Sequence, residues 1–388
     1  MRFLKMASCF LTAFFCLSPP HLAAAAAVPN ISARSAILMD AKTGQVLYEK
    51  NSTQKLPPAS TTKILTAIIA LESGRLDEMV KVSKKAAATR GSTLHLQSEQ
   101  KFKMAELVEG LLLRSGNDAA EAIAEHLSGS TQNFALLMNQ KAAALGAKDS
   151  HFENPHGLST PLHRTTTLDL ANITRYALNN QAFAKIVSAK ETEIEWLDSK
   201  GTAREGVIRN TNRLLWMMED ADGVKTGTTK EAGPCLVSSA TRGSHRMIAV
   251  VLNDKSRWDD SMNLLKYGLE GFTYVERAQR GDVAAVIPLA GGAKEMVNAI
   301  VSEHAAWTIA TETAPNLETQ IKTEAQINAP LYEGQKIGEL IFYLKDTGEI
   351  VKVIDLTAGE NIEESNFRTL FFRNVLTLSR KLSGWGIL

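Results

Sequence analysis

The spacing of apolar and polar positions predicts a first unit that mixes strands and helices. Two short apolar runs within 35–48 flank Ala41-Lys42-Thr43-Gly44, a pattern typical of two strands joined by a glycine turn. We predict helices at 60–71, 104–114, 118–127, 131–145, 168–178 and 258–268, and strands at 224–226, 236–240 and 247–252. Early strands, a helical middle and late strands indicate an α+β fold, in which an antiparallel sheet is assembled from both ends of the unit and flanked by helices.

The pattern changes after about residue 272. Strand-like apolar runs occur at 283–286, 295–297, 336–344 and 350–356. We therefore predict a first domain at 28–275 and a small all-β domain at 276–364.

The end of the chain, 365–388, has a helical pattern of another kind. Its apolar side chains fall within one arc of a helical wheel, opposite Arg373, Thr377 and Arg380; they are Phe367, Leu370, Phe371, Val375, Leu378, Leu382 and Trp385. The apolar runs are too short to span a bilayer, which takes about 20 residues. A cationic, aromatic-rich amphipathic helix suits a membrane surface, so we predict a peripheral anchor. A helix docked on its own domain is the alternative.

The segment 1–27 has the three parts of a secretory signal. Arg2 and Lys5 precede the apolar run 6–17, and small residues at 23–27 form a cleavage zone. A proline pair between these parts argues against a buried N-terminal helix. We predict an exported protein at the periplasmic or extracytoplasmic face of the membrane.

Composition narrows the classes of function. Hydrophobic residues are 44%, charged residues 22% and the formal net charge is +1, values that exclude disorder, a multi-span membrane protein and the basic excess typical of nucleic-acid binding. After loss of the signal only Cys235 remains, in an apolar run that predicts burial, so neither an intramolecular disulfide nor a cysteine-rich metal site is expected. Four of the eight histidines could suggest a metal site, but they lack metal-ligand spacing, so we predict surface or loop roles for them and no metal; they are His95, His151, His156 and His163.

Serine and lysine lie three residues apart at three places, and only one place predicts a helix with a buried face. The pair at 52–55 runs into two prolines, and the pair at 98–101 is wholly polar. Ser60 and Lys63 would share a face at a helix start, where the lysine can reach the serine hydroxyl. Serine needs a base to become a nucleophile, and lysine is a base only when partly neutral, which burial and a second cation such as Lys225 favour. A helix-capping serine and a solvent-reaching lysine are the alternative.

Lys-Thr-Gly and Ser-x-Asn each occur twice, and context again separates the copies. The copy at 42–44 lies in the predicted hairpin turn and is interpreted as structural. Lys225-Thr226-Gly227-Thr228 precedes two apolar strands, so its lysine can hold a carboxylate at a sheet edge and an edge N–H can stabilise an oxyanion. Ser261-Met262-Asn263 lies inside a predicted helix, whereas Ser115-Gly116-Asn117 lies in a loop that can project into a site.

In this chain order, the segments 57–63, 115–117 and 222–227 resemble the three motifs of the low-molecular-mass penicillin-binding proteins, specifically the D-alanyl-D-alanine carboxypeptidases. The segments 154–158 and 210–215 also resemble stretches of that family, and the resemblance covers nearly the whole exported chain. It implies a penicillin-binding/β-lactamase-like fold. It also implies a serine-type enzyme that removes the terminal D-alanine from peptidoglycan stem pentapeptides, is acylated by β-lactam antibiotics and needs no cofactor.

The same resemblance implies roles for individual residues. Ser60 would be the acyl-ester nucleophile, Lys63 the general base and Ser115 a proton relay to the departing amine. Asn117 would orient Lys63 and the substrate amide, and Lys225 would bind the terminal carboxylate. The remaining substrate-binding residues would be Thr226, Gly227 and Thr228, with the N–H groups of Ser60 and Thr228 forming the oxyanion hole.

The chain departs from the family's pattern at two positions. Thr228 stands where relatives often have histidine, and Pro234 is expected to interrupt strand pairing.

A β-lactamase would need a further carboxylate, and no Glu-x-x-Leu-Asn stretch lies between Asn117 and Lys225. A catalytically silent peptidoglycan-binding protein would have no need of the serine and lysine set.

Overall fold

The computed structural model describes residues 27–365. The predicted signal segment and terminal amphipathic helix therefore lie outside the described residues, apart from Ala27 and Ser365. The helices are α1 Lys63–Glu72, α2 Lys84–Ala87, α3 Met104–Leu113, α4 Asn117–Ser128, α5 Thr131–Ala144, α6 Thr167–Leu178, α7 Gln181–Ser188, α8 Leu214–Met217 and α9 Arg257–Gly271. Across residues 27–365, none of them is long and apolar enough to cross a membrane.

The strands that precede α9 form one large sheet and one smaller sheet. They are β1 Ser35–Asp40, β2 Val46–Lys50, β3 Met79–Lys81, β4 Lys101–Lys103, β5 Glu191–Leu197, β6 Ala203–Arg209, β7 Ala221–Thr229, β8 Gly233–Arg242 and β9 His245–Leu252. The large sheet has the antiparallel order β2-β1-β9-β8-β7, so its strands come from both ends of the unit, as predicted. Among residues 27–365, strand β7 pairs with β8 alone, and its other edge faces the site described below.

Both faces of the large sheet are covered, which explains the unbroken apolar run in β9. Ile248 and Val250 pack with the helices that follow β2, whereas Ala249 and Val251 pack with α9. Because successive side chains of a strand point to opposite faces, a strand buried on both faces is apolar at every position.

The second sheet, of order β3-β4-β5-β6, was not predicted. Strands β3 and β4 have three residues each, too few for a periodic signal. In β5, glutamates at 191, 193 and 195 alternate with Ile194 and Trp196, and that alternation was the available signal. Trp196 stacks on Phe102 of β4, with ring centroids 5.6 Å apart, so the apolar face is closed by aromatic contact.

The part of the chain that follows α9 is built of β-strands, as predicted. Its strands are β10 Phe272–Ala278, β11 Val283–Ala290, β12 Met296–Val301, β13 Ala305–Ala310, β14 Leu317–Thr323, β15 Ile327–Asn328, β16 Lys336–Leu344 and β17 Ile350–Ala358. They form a six-stranded sheet of order β14-β16-β17-β12-β11-β15 and the pair β10-β13 around a separate apolar core. Val275 of β10 belongs to this core, so the predicted boundary between 275 and 276 falls inside a strand.

The turn between β1 and β2 contacts the second domain, and the structural interpretation of Lys42-Thr43-Gly44 is confirmed. Lys42 Nζ lies 3.6 Å from the centroid of the Tyr274 ring and 3.5 Å from the Glu276 carboxylate. Thr43 Oγ1 is 3.3 Å from the Thr308 hydroxyl. This motif copy therefore connects the domains and does not line the cleft.

A fully buried carboxylate holds this turn. Asp40 accepts hydrogen bonds from the Thr43 N–H at 2.7 Å and the Thr43 hydroxyl at 3.0 Å, and His245 Nε2 lies 2.7 Å away. Burial alone would raise the pKa of Asp40, but the hydrogen bonds from His245, Thr43 and Thr308 lower it to about 2.

The depressed pKa predicts how Asp40 contributes to stability. Because the folded value lies below the ordinary value, the contribution is complete above about pH 4 and is lost as the pH falls toward 2; it amounts to about 2 kcal/mol. Urea unfolding of the wild type and Asp40→Asn measures this. We expect the gap between their unfolding free energies to be larger at pH 6 than at pH 2.5. A gap that does not change with pH would contradict the account.

Candidate active site

The Ser60–Lys63 pair lies where a short helical turn becomes α1. Residues Ala59–Thr62 form a 3-10 turn without a side-chain cap, and α1 continues from Lys63. Lys63 Nζ is 2.9 Å from Ser60 Oγ, and the lysine side chain is 0% exposed. The alternative of a capping serine and a solvent-reaching lysine is therefore wrong.

Two carbonyl oxygens hold the Lys63 amine beside the serine. Lys63 Nζ donates to Asn117 Oδ1 at 2.6 Å and to the His156 carbonyl at 2.8 Å. Burial lowers the pKa of Lys63 well below its ordinary value, the charge of Lys225 lowers it further, and Asp118 acts in the opposite direction. The neutral amine required of a base is thus favoured at this position.

Ser115-Gly116-Asn117 turns into α4 at the edge of the cleft. Ser115 is buried and has φ +63°, a left-handed conformation that serine seldom adopts. Asn117 Nδ2 donates to the Arg90 carbonyl at 2.6 Å, which fixes the amide so that its oxygen faces Lys63. The next residue, Asp118, accepts from the Leu94 and Leu96 N–H groups at 3.0 Å and ties the 90–97 loop over the motif.

Strand β7 brings Lys225-Thr226-Gly227-Thr228 to the other side of Ser60. Lys225 is 1% exposed and its Nζ donates to the Thr226 carbonyl at 3.2 Å. Burial, with a smaller contribution from the Arg257 charge, lowers the pKa of Lys225 to about 7. A Cβ on Gly227 would lie 2.9 Å from the Ser60 nitrogen, so only glycine permits this approach. The structure therefore brings the three predicted motifs together.

Arg257 also belongs to this side of the cleft, and the sequence analysis missed it. Its Nη1 donates to the Gly227 carbonyl and to Thr228 Oγ1, both at 2.9 Å. The guanidinium lies over the Trp258 ring, with Arg257 Cζ 4.8 Å from its centroid. Arg257 is the first residue of a helix outside the motifs, and no spacing in the sequence pointed to it.

The expected interruption at Pro234 is wrong. Strands β7 and β8 pair as far as Gly233, with Pro234 opposite Thr228. The Pro234 carbonyl accepts the Asp254 N–H at 2.8 Å, so the segment after β9 supports this end of the ladder. Cys235, next along β8, is buried, as predicted.

The Asn154-Pro155-His156-Gly157-Leu158 loop closes the cleft floor. Gly157 has φ +88°, and a Cβ there would lie 1.8 Å from the Ala59 carbonyl oxygen. His156 and His163 both belong to loop segments, as predicted, but both are buried, so a surface role is wrong for these two. Within residues 27–365, no group of three His, Cys, Asp or Glu side chains is placed to hold a metal ion.

Comparison with known proteins agrees with this fold and cleft. Residues 22–256 match the D-alanyl-D-alanine carboxypeptidase family, and residues 272–364 match the C-terminal domain of penicillin-binding protein 5. The chain is 36% identical to the D-alanyl-D-alanine carboxypeptidase DacC of Escherichia coli over 95% of this chain and 93% of that one. It is 33% identical to DacF of Bacillus subtilis over 88% and 89%. The solved structure of penicillin-binding protein 5 from Haemophilus influenzae superposes with a TM-score of 0.77 at 29% identity, over 87% and 99%.

The fold and these matches together define the class of protein: a hydrolase of the penicillin-binding type that carries an additional β domain. The chain belongs to the D-alanyl-D-alanine carboxypeptidase family. The resemblance stated from the motifs and the predicted α+β fold are thereby confirmed.

The close approach at Gly227 yields a test of the cleft geometry. Gly227→Ala should push β7 away from Ser60 and lower kcat/KM for D-alanine release on the order of 10- to 100-fold, because a displacement near 1 Å has effects of this size. Gly206→Ala is the matched control, since its Cβ would meet only the Trp196 ring at 3.4 Å. Equal activity in the two variants would contradict the assignment of the cleft.

Proposed function

We propose that this protein is a serine-type D-Ala-D-Ala carboxypeptidase that forms an acyl-enzyme on Ser60. The observation that carries the proposal is the distance of 2.9 Å between Ser60 Oγ and a fully buried Lys63 amine. A hydroxyl beside a base of lowered pKa has the arrangement of an activated nucleophile.

The hydrogen bonds of Lys63 suggest where the proton goes. A neutral amine has two N–H donors and one lone pair. If the donors serve Asn117 Oδ1 and the His156 carbonyl, the lone pair is left for the Ser60 O–H. Lys63 would take that proton as Oγ attacks the carbonyl carbon of the penultimate D-alanine. Ser115 would then relay that proton from Lys63 to the departing amine nitrogen, the peptide C–N bond would break, and free D-alanine would leave.

Charge on the β7 side suits the substrate's terminal carboxylate. Lys225 and Arg257 supply two cations there, and neither forms an ion pair with a carboxylate in the described part of the chain. The N–H groups of Ser60 and Thr228 would receive the oxyanion, with Thr226 and Gly227 lining the substrate. Water would then hydrolyse the ester and release the shortened peptide, and the proposed residues need no cofactor.

The proposed substrates are peptidoglycan stem peptides ending in D-Ala-D-Ala, and the proposed covalent inhibitors are β-lactam antibiotics. Both kinds of molecule have an acyl carbonyl with a carboxylate nearby. This arrangement matches a cleft in which the Ser60 nucleophile lies beside the two cations Lys225 and Arg257. A β-lactamase and a silent peptidoglycan binder remain as outcomes of the test.

Mass spectrometry after incubation with a penicillin, with peptide mapping of the adduct, tests the proposal. We expect a covalent adduct on Ser60 and release of D-alanine from a pentapeptide. Ser60→Ala should have neither property while its thermal unfolding stays unchanged, and Ser52→Ala, in a second Ser-x-x-Lys match, should behave as the wild type. An adduct on another residue would overturn the assignment. Absence of any adduct would support the silent binder, and fast penicillin turnover without an adduct would support the lactamase.

We also propose export by the signal at 1–27, a catalytic domain at 28–275, a small β domain at 276–364, and peripheral anchoring by 365–388. The support is the distribution of charge and apolar residues in those segments.

The anchor proposal is tested by sedimentation with anionic phospholipid vesicles. Leu378→Glu places a charge on the apolar arc and should release the protein from the vesicles, whereas Thr377→Glu, on the polar side, should reduce binding less. Equal binding by both variants would show that the segment does not insert by its apolar face.

A further inference from the structure

A buried histidine is linked by hydrogen bonds to the segment that carries Ser60. His163 is 0% exposed, and its ring lies edge-on to Phe152 with centroids 5.5 Å apart. Its Nδ1 accepts the Glu153 N–H at 3.0 Å, and its Nε2 is 2.9 Å from Thr62 Oγ1. The proposed chemistry uses neither His163 nor Thr62.

The direction of these hydrogen bonds follows from the first of them. Burial lowers the pKa of His163 to about 4, so the ring is neutral at neutral pH. Because Nδ1 accepts a hydrogen bond, the single ring proton is on Nε2, which donates to Thr62 Oγ1. The Thr62 hydroxyl in turn donates to the Ala59 carbonyl at 2.8 Å.

The Ala59 carbonyl, the last acceptor in this series of hydrogen bonds, belongs to the same peptide group as the Ser60 N–H. Ala59 is buried and has φ +50°, a left-handed conformation that alanine rarely adopts without support. Gly157 packs against the same carbonyl, where a Cβ would lie 1.8 Å from the oxygen. The Ala59–Ser60 peptide is therefore held from its carbonyl side by Thr62 and Gly157.

We propose that His163 and Thr62 are positioning residues for the oxyanion hole, acting through the Ala59 carbonyl to orient the Ser60 N–H and strengthen it as a donor. Hydrogen bonds in a chain polarise one another, so a carbonyl that accepts a bond makes the N–H of the same peptide a better donor. A donor fixed before the reaction stabilises the developing oxyanion without reorganisation. This inference rests on the proposed function, because it takes the Ser60 N–H as an oxyanion donor.

Substitutions at Thr62 separate the hydroxyl from the volume of the side chain. Thr62→Val keeps the branched shape and removes the hydroxyl, whereas Thr62→Ser keeps the hydroxyl. We expect Thr62→Val to slow acylation by a penicillin about 10-fold, less than the 10²- to 10³-fold loss on removing an oxyanion donor outright. Thr62→Ser should stay within about 3-fold of the wild type because its hydroxyl can still bind the Ala59 carbonyl.

The infrared stretch of the acyl-ester carbonyl reports the oxyanion hole directly. A weaker Ser60 N–H donor should move this band to higher frequency in Thr62→Val, and Thr62→Ser should restore it. A purely structural role for Thr62 would lower the melting temperature without moving the band.

Substitutions at His163 provide the second, independent pair. The longer amide introduced by His163→Gln can replace Nε2 as donor to Thr62, whereas the shorter amide introduced by His163→Asn replaces only Nδ1, which accepts from Glu153. The proposal predicts slower acylation in His163→Asn than in His163→Gln, together with a larger shift of the band. If Thr62→Val does not fold, the comparison of the two His163 variants tests the proposal by itself.

Wild-type acylation and an unmoved band in folded Thr62→Val, or in both His163 variants, would overturn this inference and leave the proposed function intact. Acylation of the unmodified protein at a residue other than Ser60 would overturn both.

Discussion

Two lysine amines buried in one cleft are the constraint on which the rest of the site depends. A lone ammonium ion buried away from water costs several kcal/mol unless it is paired or loses its proton. Lys63 and Lys225 are 0% and 1% exposed, and in the described chain their hydrogen bonds go to oxygens that carry no formal charge. For Lys63, whose pKa the charge of Lys225 lowers further, loss of a proton is the remaining way to lower that cost, so the fold itself favours the neutral amine that a base requires.

The cleft also depends on backbone segments that come closer than side chains allow. Gly227 lets β7 approach the Ser60 nitrogen, and Gly157 lets the 154–158 loop reach the Ala59 carbonyl. These contacts lie at the two ends of one peptide group, Gly157 at its carbonyl oxygen and Gly227 at its nitrogen, and this group would supply an oxyanion donor. The loop that buries Lys63 by its His156 carbonyl thus also holds the backbone of the nucleophile segment. Burial of the base and orientation of the donor are therefore two results of the same packing.

Much of the fold and of the motif set could be predicted because the signals are local. Strand β9 of the large sheet has apolar residues on both faces, and a Ser-x-x-Lys at the start of a buried helix differs visibly from one that runs into two prolines. Arg257, the His156 carbonyl and the His163–Thr62 bond could not be predicted, because each joins segments that lie far apart in the chain. Backbone carbonyls in particular leave no trace in a sequence, since every residue has one. The four-stranded sheet was missed because β3 and β4 have only three residues each and β5 has glutamates on its outer face.

The central claim is that the fold holds Lys63 as a neutral amine beside Ser60, and the titration of Lys63 tests it most directly. In protein labelled with ¹³C and ¹⁵N at lysine, the side-chain NMR signals can be followed with pH, and Lys63→Arg assigns the resonance by its loss. The account predicts a pKa for Lys63 far below those of the exposed lysines, and a higher one in Lys225→Met because a neighbouring cation is gone. Titration of Lys63 together with the exposed lysines, near 10.4, would contradict the account.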